Sequence, residues 1–244
     1  EYGCKLFIYD KRSLSMTKEA KVLRSYGENV LYQENRVKEV MKQSFGKNLR
    51  MGATKTIGEY VIGPMVSKYL KEEGNTISIE VDNTERLLAL MEEGKLDFAL
   101  VEGFFDRSKY KSRLFREESF VGVCEKHHPF AEKAVSMRDL FGEHLFIREE
   151  GSGTKNIFEQ ILKERNHSIE EFSKVTGVGN FGLMFQLLKN EGGITFAYES
   201  VLKEDKNLRK FTIKGSEIKR EFNYVFLDNP ISQEMVTYFH EISD

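Results

Sequence analysis

The chain has 244 residues, 40% hydrophobic and 12% aromatic, enough for one large domain or two small ones, which excludes an overall disordered state. Its net charge is −2, and no apolar run approaches the ~20 residues that a membrane helix requires. The charge is uneven: residues 1–50 carry 11 Lys+Arg against 6 Asp+Glu and the rest 26 against 33, so either a polyanion meets the N-terminal end or a lysine-rich helix is simply solvated there.

The opening "EYGCKLFIYD" lacks the charged start, apolar centre and cleavage site of a secretory leader, and it begins at Glu1 rather than Met. A fragment or processed product is therefore expected. Cys4 and Cys124 stand in unrelated contexts, so no disulfide framework is expected and a cytoplasmic location fits.

In chain order, Leu6–Tyr9 and Leu14–Met16 flank a turn and predict a small hairpin. Thr17 can cap a helix running from Lys18 to about Ser44. Met16, Leu23, Val30 and Val37 fall seven apart, one leg of a heptad seam; the second leg, Ala20, Gly27, Glu34 and Met41, is weaker. Such a helix should pair with a second copy, the alternative being that it lies on its own domain.

Leu49 and Met51 begin a strand. A helix carrying Ile57, Tyr60, Val61, Tyr69 and Leu70 follows, with a bend expected at Gly63-Pro64. "TISIEVD" alternates as a strand, "NTERLLALMEEGK" is a helix capped by Asn83 and stopped by Gly94, and "LDFALVEG" is a buried strand. The second half repeats this grammar. "SFVGVCE" is a strand, "SMRDLF" a short helix, and "HLFIRE" a strand leading into a helix with Ile157, Phe158, Ile161 and Leu162 on one face. "FSKVTGV", "FGLMFQLLKNEG" and "GITFAYE" read strand, helix, strand. Strands near Leu208–Ile213 and Lys219–Leu227 and a helix over Ser232–Ile242 complete the chain. The expected class is α/β, with two βαβ clusters forming two small lobes rather than one sheet.

Three strand-to-helix loops are rich in small residues: "GATKTIGEY", "EEGSGTKNI" and "VGNFGLMF". Glycine admits a ligand to the main chain, hydroxyls add hydrogen bonds, and helix starts carry unpaired N–H groups. Loops at the carboxyl ends of parallel strands form the usual crevice of open α/β sheets. Converging on one cleft, they would hold a small anion or carboxylate. The competing reading is ordinary helix capping by Thr54, Thr56, Ser152 or Thr154. Lys55 is either a cationic partner or a plain exposed lysine.

Catalytic patterns are not found. "GSGTK" lacks the spacing of a phosphate-binding P-loop, and Ser152 lacks the flanks of a nucleophile elbow. His127 and His128 are adjacent and precede Pro129, which reads as a surface turn; Cys124 reads as a small core residue. Glu149 and Glu150 adjoin the cleft loop, but adjacent acids tend to point apart. No catalytic residue, metal site or cofactor is expected.

These residues resemble a LysR-type bacterial transcription regulator, entered partway through its DNA-binding domain. "EYGCKLFIYDKRSLSMT" is similar to the family's wing hairpin, roughly L-G-x-x-L-F-x-R-x-x-R-x-x-x-L-T, at Gly3, Leu6, Phe7, Arg12 and Thr17. Ile8-Tyr9 stands where an arginine often follows, and Met16 replaces a leucine. The long helix resembles the dimerising linker. "GATKTIGEYVIGPMVSKYL", "LDFALVEG", "REEGSGTKNIFE" and "NEGGITFAYESVL" resemble successive motifs of the effector-binding domain.

The resemblance implies residues 1–16 as a winged-helix remnant, 17–46 as a linker helix and 47–244 as a two-lobed, periplasmic-binding-protein-like domain. Lobe I would hold about 48–116 and 223–244, lobe II about 117–222. The effector would sit between them on Thr54, Thr56, Ser152 and Thr154, with Gly103, Gly179 and Asn180 along the floor; the loop chemistry adds Lys55 and Gly153 as candidates and makes the effector a small anion or carboxylate. Homodimers or homotetramers, promoter DNA for the full-length parent and no membrane are implied as partners. The helix-turn-helix before the wing is missing, so the chain alone is not expected to discriminate operator from random duplex. A solute-binding protein of a transporter and an enzyme on the same fold are the alternatives.

Overall fold

The structure, a computed structural model, describes residues 2–10, 12–41 and 48–243. Strands β1 (Phe7–Asp10) and β2 (Ser13–Met16) form the expected hairpin, with Phe7 opposite Met16. Thr17 then accepts a hydrogen bond from the Ala20 N–H at 3.1 Å and starts helix α1 (Lys18–Met41). The predicted stretch beyond Met41, with the expected linker boundary at 46, lies outside the described residues. Along α1, Val30, Leu31 and Val37 are exposed. On another side the helix leans on its own chain: Asn29 Nδ2 donates to the Glu92 carbonyl at 2.8 Å, and the Arg50 guanidinium lies 4.3 Å from the Tyr32 ring centroid.

The body begins with β3 (Asn48–Thr54), α2 (Lys55–Tyr60), α3 (Gly63–Tyr69), β4 (Thr76–Asp82), α4 (Thr84–Glu92) and β5 (Phe98–Glu102). The single bent helix expected here is two helices. Pro64 has no N–H to donate, and its ring would clash with the carbonyl four residues back, that of Tyr60, where α2 ends. Asn83 caps α4 by accepting from the Arg86 N–H at 2.9 Å, and Gly94 takes a positive φ just past its end. Leu87, Leu90 and Met91 form the buried stripe of α4, and all of β5 is buried.

Next come β6 (Lys111–Glu125), β7 (Ala134–Val135), α5 (Met137–Leu140), β8 (His144–Arg148), α6 (Gly153–Lys163), β9 (Lys174–Val178), α7 (Phe181–Glu191) and β10 (Ile194–Tyr198). The chain ends with β11 (Leu208–Ile213), β12 (Lys219–Phe226) and α8 (Pro230–Ser243). Strand β6 begins eight residues before the expected "SFVGVCE". Its first half, "KSRLFREE", is charged, and it becomes a strand by pairing with distant β12, from Lys111–Phe226 to Ser119–Lys219.

Strand order is β4-β3-β5-β12-β6-β10-β8-β9. The two βαβ clusters, β3-β4-β5 and β8-β9-β10, therefore share one continuous strand path instead of forming two separate sheets. After Ser119, β6 leaves β12 and pairs with β10 and β11. Aromatic rings pack across this junction: Phe120 lies 5.4 Å from Tyr198, Tyr198 4.7 Å from Phe222, and Phe196 stacks on Phe158 at 4.0 Å. Each such pair contributes about 0.5–1.5 kcal/mol beyond its buried area. Within each cluster the strands run parallel, so β3, β5, β8 and β9 deliver their carboxyl ends to the middle of the molecule.

Candidate functional site

At those strand ends lies a gap of about 120 Å³, lined from one cluster by Thr54, Lys55, Asp82, Asn83, Thr84 and Glu102 and from the other by Arg148, Glu149, Glu150 and the turn Gly151–Thr154. Its polar groups come from both sides. Thr54 sits at the start of α2 and Ser152 at the start of α6, yet neither side chain makes a capping hydrogen bond. The Thr54 hydroxyl is buried and meets no donor or acceptor in the protein. Thr56, also buried, donates to Glu102 Oε1 at 3.0 Å.

Glu102 is buried at the end of an all-apolar strand, and its Oε2 has no protein partner. Burial pushes its pKa up to about 7; the Thr56 hydroxyl and the Arg148 charge pull it back only in part. Gly153 lies against it: a Cβ there would stand 3.8 Å from Glu102 Cγ and Oε1. That is ordinary van der Waals distance, so Gly153 brings the turn up to the wall that carries this acid.

Arg148 is 3% exposed. Its guanidinium stacks 4.4 Å from the Phe181 ring centroid and donates to the Gly179 carbonyl at 3.4 Å. It also grips Glu149 with two prongs, Nε to Oε2 at 2.9 Å and Nη2 to Oε1 at 3.2 Å. From the opposite cluster Lys55 Nζ reaches the same Oε1 at 2.6 Å. Partial burial raises the Glu149 carboxyl, but the hydrogen bonds from Arg148 and Lys55 outweigh it and hold the group down to about 2. Glu150 points away, to Lys155, with its side chain 85% exposed.

The gap thus brings together Thr54, Lys55, Ser152, Gly153 and Thr154, with Thr56 reaching it through Glu102. Gly103 (φ +88°) instead lines a separate hollow of about 460 Å³ with Phe105, Arg107 and Arg220. Gly179 touches the site through its carbonyl on Arg148, and Asn180 caps α7, accepting from the Leu183 N–H at 2.8 Å. Sequence reasoning did not select Arg148 or Glu102. A charge closing an apolar strand, as in "HLFIR" and "FALVE", was the available signal.

A larger hollow of about 640 Å³ lies between α1 and the edge strand β4. Among the described residues, none of the buried unpaired polar side-chain atoms lines it, whereas two line the small gap. Size therefore does not decide between them; unsatisfied chemistry does. Among the described residues no cluster of His, Cys, Asp and Glu could hold a metal, and no helix is long and apolar enough to cross a membrane.

Residues 42–241 match the family model described as the LysR substrate binding domain. An uncharacterized HTH-type transcriptional regulator of Methanocaldococcus jannaschii is 26% identical over 86% of this chain and 73% of its own length. The HTH-type transcriptional regulator CysL of Bacillus subtilis is 27% identical over 72% of this chain, which spans only 60% of that relative. The regulatory domain of CcmR from Synechocystis PCC6803, solved in complex with 2-PG, aligns with a TM-score of 0.69 at 19% identity, covering 81% of this chain and 97% of that one.

Proposed function

The chain belongs to the LysR substrate-binding-domain family, and from that premise we propose that it senses a small anionic or carboxylate effector in the gap between its two strand clusters. One observation carries this reading. A buried arginine, a lysine from the facing cluster and two buried, unpaired oxygens, on Thr54 and Glu102, all border a space of about 120 Å³. Buried polar groups are nearly always paired, so the orphan Thr54 hydroxyl beside two cations, with a Glu102 carboxyl that burial pushes up to about 7 and that can donate when protonated, supports a polar, negatively charged guest. Thr54, Lys55, Ser152, Gly153 and Thr154 would contact the effector. Thr56 and Gly179 would act by holding Glu102 and Arg148, and Gly103 and Asn180 would lie at the margins. CcmR, on the same fold, was solved with a small molecule bound.

The departure of β6 from β12 after Ser119 and the register irregularity at Phe222–Asn223 support dividing the body into lobe I, about 48–116 and 223–244, and lobe II, about 117–222. Residues 1–16 would be the remnant of a winged DNA-binding domain and 17–46 the linker helix. The effector would favour one arrangement of the lobes and so reposition subunits of a dimer or tetramer through that helix. The exposed Val30 and Val37 support such pairing. The parent chain would act on promoter DNA in the cytoplasm, as a regulator and not an enzyme, in keeping with relatives named as transcriptional regulators.

The test is a thermal-shift panel of inorganic oxyanions and short carboxylates. At a hundred times its Kd an effector adds about 2.7 kcal/mol of stability. A matching rise in Tm that disappears in Arg148→Met is expected. No rise with any panel member, or one that survives Arg148→Met, would contradict the reading.

A further inference from the structure

The pairing inside the gap goes one step past a generic anion site. The two cations do not wait unpaired: they hold the chain's own Glu149. That carboxylate receives three charged N–H donors from two residues, in the geometry a free carboxylate or oxyanion would adopt. Of its two holders one is buried, and the other, Lys55, has a side chain 39% exposed. Arg148 is pinned by burial, by the Phe181 ring and by the Gly179 carbonyl. Glu149, in contrast, has a side chain 32% exposed and belongs to a turn that passes through Gly151 at φ +80°.

We propose that Glu149 is a tethered occupant of the effector site, and that a compact oxyanion activates the protein by taking its place on Arg148 and Lys55. This rests on the effector reading above and specifies its regulation. The exchange is isoelectric: one anion leaves the guanidinium as another arrives, so the buried charge of Arg148 never lacks a counter-charge, the situation that costs most. The incoming anion gains what Glu149 does not supply, a hydrogen bond donated by the Thr54 hydroxyl and, when the Glu102 carboxyl is protonated, one donated from its Oε2. Only a small, oxygen-rich guest fits a space of about 120 Å³ with this lining.

The exchange also reaches the lobes. Lys55 follows β3 and Glu149 follows β8, so their 2.6 Å bond ties one strand cluster to the other. Displacing Glu149 replaces this internal tie with one made by the ligand. Ligand-free protein is thereby held in one arrangement, and apparent affinity is reduced by the fraction of time Glu149 holds the site.

Isothermal titration of wild type, Glu149→Gln and Glu80→Gln with sulfate, inorganic phosphate, acetate and glycolate tests the idea. Glu80→Gln removes the same charge from an exposed position on β4. The expected result is that Glu149→Gln binds the preferred anion at least ~10-fold more tightly than wild type, while Glu80→Gln does not. If wild type binds an anion and Glu149→Gln binds it equally or more weakly, the tethered-occupant proposal is overturned and the effector site stands. An equal gain in both variants would reduce the effect to net charge and would also overturn the proposal. Binding by none of the three would sink the effector reading together with it.

Discussion

At the scale of single residues, Glu102 sets the most direct test. An unperturbed glutamate titrates near pH ~4.3. In the fold, burial pushes Glu102 up to about 7, against the partial pull of the Thr56 hydroxyl and Arg148. The buried Tyr198 phenol also feels the Glu102 charge. Between those two pH values the folded protein keeps a proton that the unfolded chain has released. Its contribution is thus fully present below about pH 4.5 and is lost as pH rises towards about 7. Glu149, held down to about 2, works in a separate window, its contribution present above about pH 4.5 and lost as pH falls. Glu102→Gln keeps an acceptor for Thr56 and is expected to flatten the slope between pH 5 and 7 and to raise stability at pH 8 by about 1–3 kcal/mol. Urea denaturation at pH 5, 6.5 and 8 reads this directly, and an unchanged slope would count against a protonated Glu102. The small residues that line the gap stood out in the sequence as loops at strand-to-helix junctions, where capping alone could also place them; Thr54 and Ser152 make no capping hydrogen bond, whereas Asn180 does. The part played by Arg148 and the partner of Glu149 did not: Glu149 meets Lys55 across 94 positions of sequence and Arg148 rests on Phe181 and Gly179, contacts that only the fold supplies.

At the scale of elements, the helices were legible wherever three- and four-residue spacing met a cap signal. Ile157, Phe158, Ile161 and Leu162 on α6 and Asn83 on α4 are where the pattern put them. Two features depended on partners instead. The first half of β6 is a charged strand that exists because β12 supplies its hydrogen bonds. The α2–α3 break depends on a proline ring meeting the carbonyl of Tyr60. The turn from α7 into β10 positions β10 against β8 at the Ile194–Leu145 pair, on the strand that presents Arg148. There Gly193 adopts φ +93°, and a Cβ would come within 2.4 Å of the His144 carbonyl oxygen. Backbone cannot yield as a flexible side chain would. Gly193→Ala is therefore expected to cost about 2–5 kcal/mol, from strain and overlap together. Chemical denaturation would show it; a loss below about 0.5 kcal/mol would mean that the turn is looser than described.

At the scale of the whole molecule, two parallel clusters share the crossing strands β6 and β12, and the strand ends meet in one gap. The order of motifs along the chain disclosed the alternating α/β plan, but not the continuity of the strand path, which arises from long-range pairing without a local signature. A ligand can shift such a body only if it binds two arrangements of the lobes unequally, and a seat between the clusters, bridged by Lys55 and Glu149, would allow that under the proposed function. The most direct measurement is a crystal structure of the chain grown with the anion that gives the largest thermal shift. That anion is expected between the clusters, with an oxygen within hydrogen-bonding distance of the Thr54 hydroxyl and another on the Arg148 guanidinium. The same anion bound in the hollow beneath α1, with Arg148 still gripping Glu149, would contradict that expectation.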